Sequence, residues 1–341
     1  MRLSILAFTR RGCCLARRVK QALSPAECRM MTMEKFGEPD FEVYRPPPCG
    51  GGGGVGDLFS WCDQLVFIGS TGMAVRGIAP WVKDKKTDPG VLVIDEGGTY
   101  VISLLSGHIG GANALTVSLA AAIGAQPIVT TATDVEGKFS VDAWAKGQGL
   151  HIGSMALAKA VSAAILEGDV PICADCLLPE KLPAGLVKGE EGKLGIYVGT
   201  RARRPFRQTL VLTPKVLTLG LGCRKNTPEE AIEALVSRVL AEKGLSRAAI
   251  RGAASIDLKA GEPGLLAFCG HRGIPVKFYS AGELKAVPGQ FTPSAFVSSV
   301  TGVDNVCERA AAAEGGRIIV PKTAENGVTV AISEKEWEVS F

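Results

Sequence analysis

Leu65-Val66-Phe67-Ile68-Gly69-Ser70-Thr71-Gly72-Met73-Ala74-Val75-Arg76 reads as a buried strand, a tight glycine turn and the opening of a helix. A short apolar run bounded by glycine fits a buried strand. The helix is expected from Met73 to Val82. A second strand follows at Val91-Leu-Val-Ile94, and Gly97-Gly98 turn the chain back into Tyr100–Leu105, which predicts a hairpin. Ala112–Ile123 is rich in Ala and Leu and predicts a helix, and Pro127–Thr131 a strand. Alternating strands and helices imply an α/β sheet.

Upstream, the chain opens on a first strand, Met-Arg-Leu-Ser-Ile-Leu-Ala-Phe-Thr, with Arg10 and Arg11 behind it. Basic residues after a short apolar stretch are the wrong order for a secretory signal. Residues 45–56 carry three prolines and a glycine run, a surface loop. Downstream, residues 134–207 are less legible: a helix is expected at Met155–Leu166 and a strand at Leu194–Val198. Arg201-Ala-Arg-Arg-Pro205 reads as a linker or an exposed basic turn. A further α/β unit starts near Pro214, with strands at Val216–Leu221, Ala253–Leu258 and Pro275–Tyr279. Thr227 is expected to cap a helix to about Lys243, with Pro228 at its first position and Glu230 completing a capping box. Further helices are expected at Glu262–His271 and Val303–Glu314, with a helical turn at Ala281–Leu284 between them. A hairpin of Arg317–Val320 and Val328–Ile332 turns at Asn326-Gly327. The expected architecture is two or three α/β domains with mixed or parallel sheets and Gly-rich strand-to-helix loops. The expected regions are 1–133, a variable middle at 134–207, and 214–341.

Lys and Arg number 38 against 34 Asp and Glu, an excess too small and scattered for a nucleic-acid footprint but suited to a polyanionic small molecule. No stretch is long and apolar enough to span a membrane. Ten cysteines in a long chain without a signal are expected to be reduced, in the cytoplasm. Cys173-Ala-Asp-Cys176 has metal-ligand spacing but no second pair nearby, so no protein-bound metal is expected.

Five segments carry candidate chemistry. Ser70, Thr71 and Gly72 open a helix whose backbone N–H groups favour anions, with Arg76 one turn on; an ordinary tight turn reads the same way. Asp95-Glu96 ends a strand and supplies paired carboxylates for a general base, or two exposed turn acids. Ser106-Gly107-His108-Ile109-Gly110-Gly111-Ala112-Asn113 presents one of only three histidines in a loop built for close backbone approach. Gly220-Leu-Gly222-Cys223-Arg224-Lys225 joins strand to helix; it resembles a dinucleotide fingerprint, but Lys225 stands where the third glycine belongs. Asp257 and Lys259 end a strand, where α/β ligands gather, or form a local ion pair.

These segments resemble the cobalt-precorrin-5A hydrolase family. The similarity runs through Ser70–Pro80, Asp88-Pro89, Val93–Glu96, Leu104–Asn113 and Thr130–Asp134. It resumes at Leu219–Arg224, Ala254–Lys259, Glu262–Leu265, Phe278–Ala281, Thr301–Val303, Val306–Glu308 and Val328–Ala331. The resemblance implies a cobalt-corrinoid substrate bearing acetate and propionate arms and a δ-lactone. Water opens the lactone, and the bridging carbon leaves with its methyl as acetaldehyde. Such chemistry needs a base, a donor for oxyanion charge, and cations with helix N-termini for the carboxylates.

His108 is the expected base or oxyanion-stabilising group, with Glu96 or Asp95 binding substrate or supporting a loop, about 20 Å away along the hairpin and so not paired with it. Substrate contacts are expected from Ser70, Thr71, Gly72, Arg76, Gly107, Gly110, Gly111, Asn113, Gly222, Cys223, Arg224, Asp257 and Lys259. No cofactor is implied, because cobalt arrives with the substrate. Hand-over to other cobalamin-pathway enzymes is a further expectation, with no nucleic-acid or membrane partner. The rival readings are a non-catalytic corrinoid carrier and, on fold analogy alone, a nicotinamide oxidoreductase.

Overall fold

A computed structural model describes residues 1–25, 27–37, 39–45, 54–84, 87–131, 137–293 and 301–341. The glycine run expected as a surface loop lies mostly outside these residues, as do Ala132 to Asp134 of the Thr130–Asp134 motif. The chain divides into two units, Met1–Ala143 and Trp144–Phe341. Among the described residues, no helix is long and apolar enough to cross a membrane.

The first unit is one seven-stranded sheet. In chain order it comprises β1 (Arg2–Ala7), α1 (Arg10–Leu23), β2 (Glu27–Thr32), β3 (Glu42–Val43), α2 (Val55–Trp61), β4 (Gln64–Ile68) and α3 (Thr71–Ile78). β5 (Gly90–Ile94), β6 (Tyr100–Leu105), α4 (Ala112–Ile123) and β7 (Gln126–Ile128) follow. The strand order is β3-β2-β1-β4-β5-β6-β7. β1 to β5 run parallel, and β6 returns antiparallel to β5 as the Gly97-Gly98 turn required. The run Leu65–Ile68 is continuous because both faces of β4 are covered. Val66 and Ile68 pack with Cys13, Ala16 and Leu119 of α1 and α4, while Leu65 and Phe67 pack with Leu58 and Ala74 of α2 and α3. Each such fully buried side chain contributes roughly 1.5–3 kcal/mol. α3 is shorter than expected, ending at Ile78, with Ala79 as its C-cap just ahead of Pro80.

The second unit holds two five-stranded sheets. α5 (Val141–Gly147), at which the chain divides, leads to β8 (His151–Ile152), α6 (Met155–Glu167), β9 (Val170–Ala174), β10 (Leu186–Lys188), β11 (Leu194–Val198) and β12 (Gln208–Thr213). Their order is β10-β9-β11-β12-β8. The Arg201–Pro205 segment is the exposed connection between β11 and β12, inside this sheet, and β12 runs across residues 208–213, between the expected regions.

The other sheet is built from β13 (Leu217–Cys223), α7 (Glu229–Glu242), β14 (Ile250–Ile256), α8 (Pro263–His271), β15 (Val276–Tyr279), α9 (Ala281–Ala286), α10 (Val306–Ala312), β16 (Arg317–Glu325) and β17 (Val328–Glu334). Strand order is β15-β14-β13-β17-β16. Asn326 and Gly327 have φ of 48° and 80°, as a two-residue hairpin turn demands. The capping box expected at Thr227 and Glu230 does not form. Pro228 is the N-cap, and the Thr227 hydroxyl donates instead to the Arg224 carbonyl at 2.8 Å. Gly264 of α8 lies so close to the Thr227 carbonyl that a Cβ would clash with it, which leaves the 224–228 turn little latitude.

Candidate active site

The register of β5 and β6 splits the expected site residues of the first unit between two edges of one sheet. β1, β4 and β5 are parallel, so Thr9, Ser70 and Asp95-Glu96 follow their C-terminal ends on one edge. β6 runs the other way and delivers Ser106–Gly111 to the opposite edge. At about 3.3 Å per residue, β6 separates the two groups by roughly 20 Å.

On the first edge the chain winds outward from β1 through β2 and from β4 through β5. The crevice between β1 and β4 is therefore a topological switch point, where open α/β sheets gather ligands. Ser70 is the N-cap of α3 and its Oγ accepts from Met73 N at 3.4 Å. Ser70, Thr71, Gly72 and Arg76 are exposed. The Arg76 guanidinium folds back along α3 towards Gly72 and has no acidic partner among the described residues. Glu96 accepts from the Thr9 hydroxyl at 2.6 Å, and that hydroxyl in turn caps α1 by accepting from Gly12 N at 3.0 Å. The Asp95 carboxylate is spent on its own turn. It accepts from Gly97 N at 3.0 Å, Thr99 N at 2.8 Å and Tyr100 N at 2.6 Å.

On the opposite edge the glycines are required by packing. A Cβ on Gly107 would run into the Asn113 carboxamide, and one on Gly110 into Ser106. Gly111 has φ of 84° as the N-cap of α4. Asn113 is buried and braces the loop: it accepts from the Ser103 hydroxyl at 2.6 Å and donates to Thr131 Oγ1 at 2.9 Å. Gln64, at the start of β4, donates to the Gly110 carbonyl at 2.6 Å. His108 sits in this cradle with its side chain 19% exposed, and its Nδ1 lies 3.4 Å from Asp142 Oδ1. Asp142 was not a candidate from sequence. Ser140-Val-Asp142 carries only the polar pattern of a helix start, and nothing in it says which side chain the carboxylate will meet.

The second unit has a cleft of about 620 Å³ at the C-terminal ends of β13 and β14. Gly222, Cys223, Arg224, Lys225 and Lys259 line it, as expected of a ligand site, and Lys322 adds a cation that sequence reading did not single out. Arg224 is exposed, lies over Gly327, and has no acidic partner among the described residues. Lys259 pairs with Glu262 at 2.9 Å, not with Asp257, whose carboxylate accepts from Leu258 N at 2.8 Å. Burial pushes the Cys223 thiol up, partly offset by the charge of Lys259. Among the described residues, no group of His, Cys, Asp and Glu is placed to hold a metal ion.

A doubly wound sheet with a buried His–Asp pair at one edge, and a separate cation-lined cleft, define an α/β protein suited to proton transfer and to anionic small molecules. Comparison with known proteins narrows the class. Residues 54–134 match the family described as "Cobalamin synthesis G N-terminal", and residues 217–333 match "Cobalamin synthesis G C-terminus". The chain is 34% identical over 345 residues to the cobalt-precorrin-5A hydrolase of Salmonella typhimurium, covering 97% of each protein. It is 33% identical over 298 residues to the corresponding hydrolase of Priestia megaterium, covering 81% of this chain and 79% of that one. A 121-residue stretch is 39% identical to Protein CobE of a Sinorhizobium species, covering 34% of this chain and 79% of that one. This chain belongs to the cobalt-precorrin-5A hydrolase family.

Proposed function

We propose that the chain hydrolyses cobalt-precorrin-5A, opening its δ-lactone and releasing acetaldehyde to leave cobalt-precorrin-5B. The observation that carries this reading is the end-to-end match to the Salmonella hydrolase, 97% of each chain at 34% identity. The reaction is a hydrolysis with no net electron transfer, so it requires no redox cofactor, and cobalt belongs to the substrate.

His108 is the base in this reading. It is shielded by its loop and paired to a carboxylate, as a group that takes and returns a proton near neutral pH should be. Within the first unit Arg76, Ser70 and Thr71 are its carboxylate-binding groups; within the second, Arg224 and Lys259 line a separate cleft that suits carboxylates. Each charge-assisted contact contributes roughly 1.5–3 kcal/mol. Product hand-over to a following corrinoid enzyme belongs to the same reading.

A second assignment of the base is favoured by one observation, the β1/β4 switch point. Glu96 faces that crevice from the edge where Ser70 and Thr71 lie, and it can act there without His108. Purified protein incubated with cobalt-precorrin-5A should release one acetaldehyde per corrinoid converted. Corrinoid binding with no aldehyde would identify a carrier instead.

A further inference from the structure

A carboxylate offers hydrogen-bond acceptors only. Asp142 Oδ1 facing His108 Nδ1 at 3.4 Å therefore fixes the proton of the neutral ring on Nδ1 and leaves the lone pair on Nε2. Asp142 is itself held in place. Its Oδ1 accepts from the Ser140 hydroxyl and from Ala143 N, each at 3.0 Å, and its side chain is 11% exposed. Around the His108 loop the chemistry is unspent. Ser106 adopts φ of 54°, a conformation a non-glycine residue holds only where its surroundings force it. Ser106 Oγ and Gln64 Oε1 are buried with no hydrogen-bond partner among the described residues. Buried oxygens of this kind are normally satisfied, and two of them in one loop system suit a water or a polar substrate group.

We propose that Asp142 is the positioning residue of this hydrolase, orienting the His108 ring so that Nε2 meets the attacking water; this rests on His108 being the base. As the water oxygen bonds to the lactone carbonyl carbon, its proton passes to Nε2. The imidazolium so formed is stabilised by the Asp142 carboxylate. When the carbonyl C–O bond of the lactone breaks, Nε2 returns the proton to the departing oxygen. Burial alone would raise the Asp142 carboxyl, but the hydrogen bond and charge of His108 outweigh it and hold the group at about 2, so it stays ionised at neutral pH.

The test uses the full chain, cobalt-precorrin-5A and acetaldehyde release. Asp142→Asn should lower kcat by about 10²-fold while KM stays within about threefold, because the binding groups are untouched. Asp142→Glu should recover part of the loss. The chain has three histidines, so the imidazole NMR signal missing from His108→Ala identifies His108. Its titration midpoint should fall by about one pH unit or more in Asp142→Asn. A folded Asp142→Asn variant with unchanged kcat and midpoint, beside an inactive His108→Ala, overturns the role of Asp142 and leaves the base assignment standing. An active His108→Ala overturns the base assignment itself. Should Asp142→Asn fail to fold, Asp142→Glu carries the test, and an unmoved His108 midpoint with full kcat there overturns the proposal.

Discussion

At one end of the β5–β6 hairpin, Asp95 gives its carboxylate to three N–H groups of its own turn, and Glu96 is tied to the Thr9 hydroxyl that caps α1. At the other end, the Ser106–Gly111 loop takes its bracing from elsewhere: Asn113 ties to Ser103 and Thr131, and Gln64 to the Gly110 carbonyl. In that loop His108 faces a carboxylate from another segment, its Nδ1 3.4 Å from Asp142 Oδ1. Both loops look alike in sequence, as glycine pairs beside ionisable residues. The difference is how the turn N–H groups are satisfied: Asp95 gives its carboxylate to its own turn, whereas the Ser106–Gly111 loop closes on backbone bonds, Gly111 N to the His108 carbonyl at 3.0 Å and Asn113 N to the Gly107 carbonyl at 2.9 Å, and spends no carboxylate of its own on them.

The largest effect should come from exchanging the two ends as suspects. His108→Ala should reduce acetaldehyde release by about 10²-fold or more, with corrinoid binding largely kept. Asp95→Ala should instead cost about 1–2 kcal/mol of stability through its unpaired turn N–H groups, with turnover per folded molecule nearly unchanged. Glu96→Gln separates the remaining possibility. If it abolishes turnover while His108→Ala does not, the comparison is inverted and the chemistry moves to the switch-point edge.

A smaller effect should sharpen what the glycines do. Gly110→Ala places a methyl against Ser106, and the backbone has to move to admit it. Overpacking of this kind typically costs about 1–3 kcal/mol. Gly124→Ala is the control: φ there is 72° but a Cβ meets nothing within 4 Å, so only conformational strain is added. Thermal melts of the two variants should show the larger loss at Gly110, together with a lowered kcat. Equal losses, or a fully active Gly110→Ala, would mean that the loop tolerates displacement and that its geometry is not tuned to His108.

Local patterns in the chain were enough to read most of the first and last sheets, though not β2, β3 or α2. β4 and β5 are unbroken apolar runs, α4 has the bounds its composition suggested, and Asn326-Gly327 makes the hairpin turn. In the middle sheet β11 and α6 were legible, and the remaining strands were not, for physical reasons. β9 contains Pro171, which lacks an N–H and reads as a strand breaker, and β8 is too short to show a period. In the site, His108 was conspicuous because its loop needs glycine. Asp142 was not, because its meaning depends on a contact across 34 positions that no spacing encodes. Lys322 is likewise an ordinary strand lysine until the fold sets it beside Arg224 and Lys259.

The smallest effect bears on the Asp142 side of the comparison, and it appears in acid. The folded-state carboxyl is depressed to about 2, whereas an unfolded aspartate titrates near 3.9. A depressed carboxyl contributes stability that is fully present above the unfolded value and is lost as pH falls from about 4 towards 2. The lowering of Asp142 comes from the hydrogen bond and charge of His108, working against burial. The linkage is on the order of 2–3 kcal/mol at most. Other paired carboxylates, among them Asp63 beside Arg2 and Glu262 beside Lys259, are also held below their ordinary values and supply a common slope. The informative quantity is therefore the difference between wild type and Asp142→Asn. Urea midpoints at pH 5 and pH 2.5 should fall further in wild type than in Asp142→Asn, because only wild type has this carboxylate to protonate. The His108→Ala variant should behave like Asp142→Asn, since the lowering depends on the imidazolium. Parallel loss in all three proteins would show that the 3.4 Å approach carries no ionic coupling, and the contrast between the hairpin's two ends would then rest on backbone bracing alone.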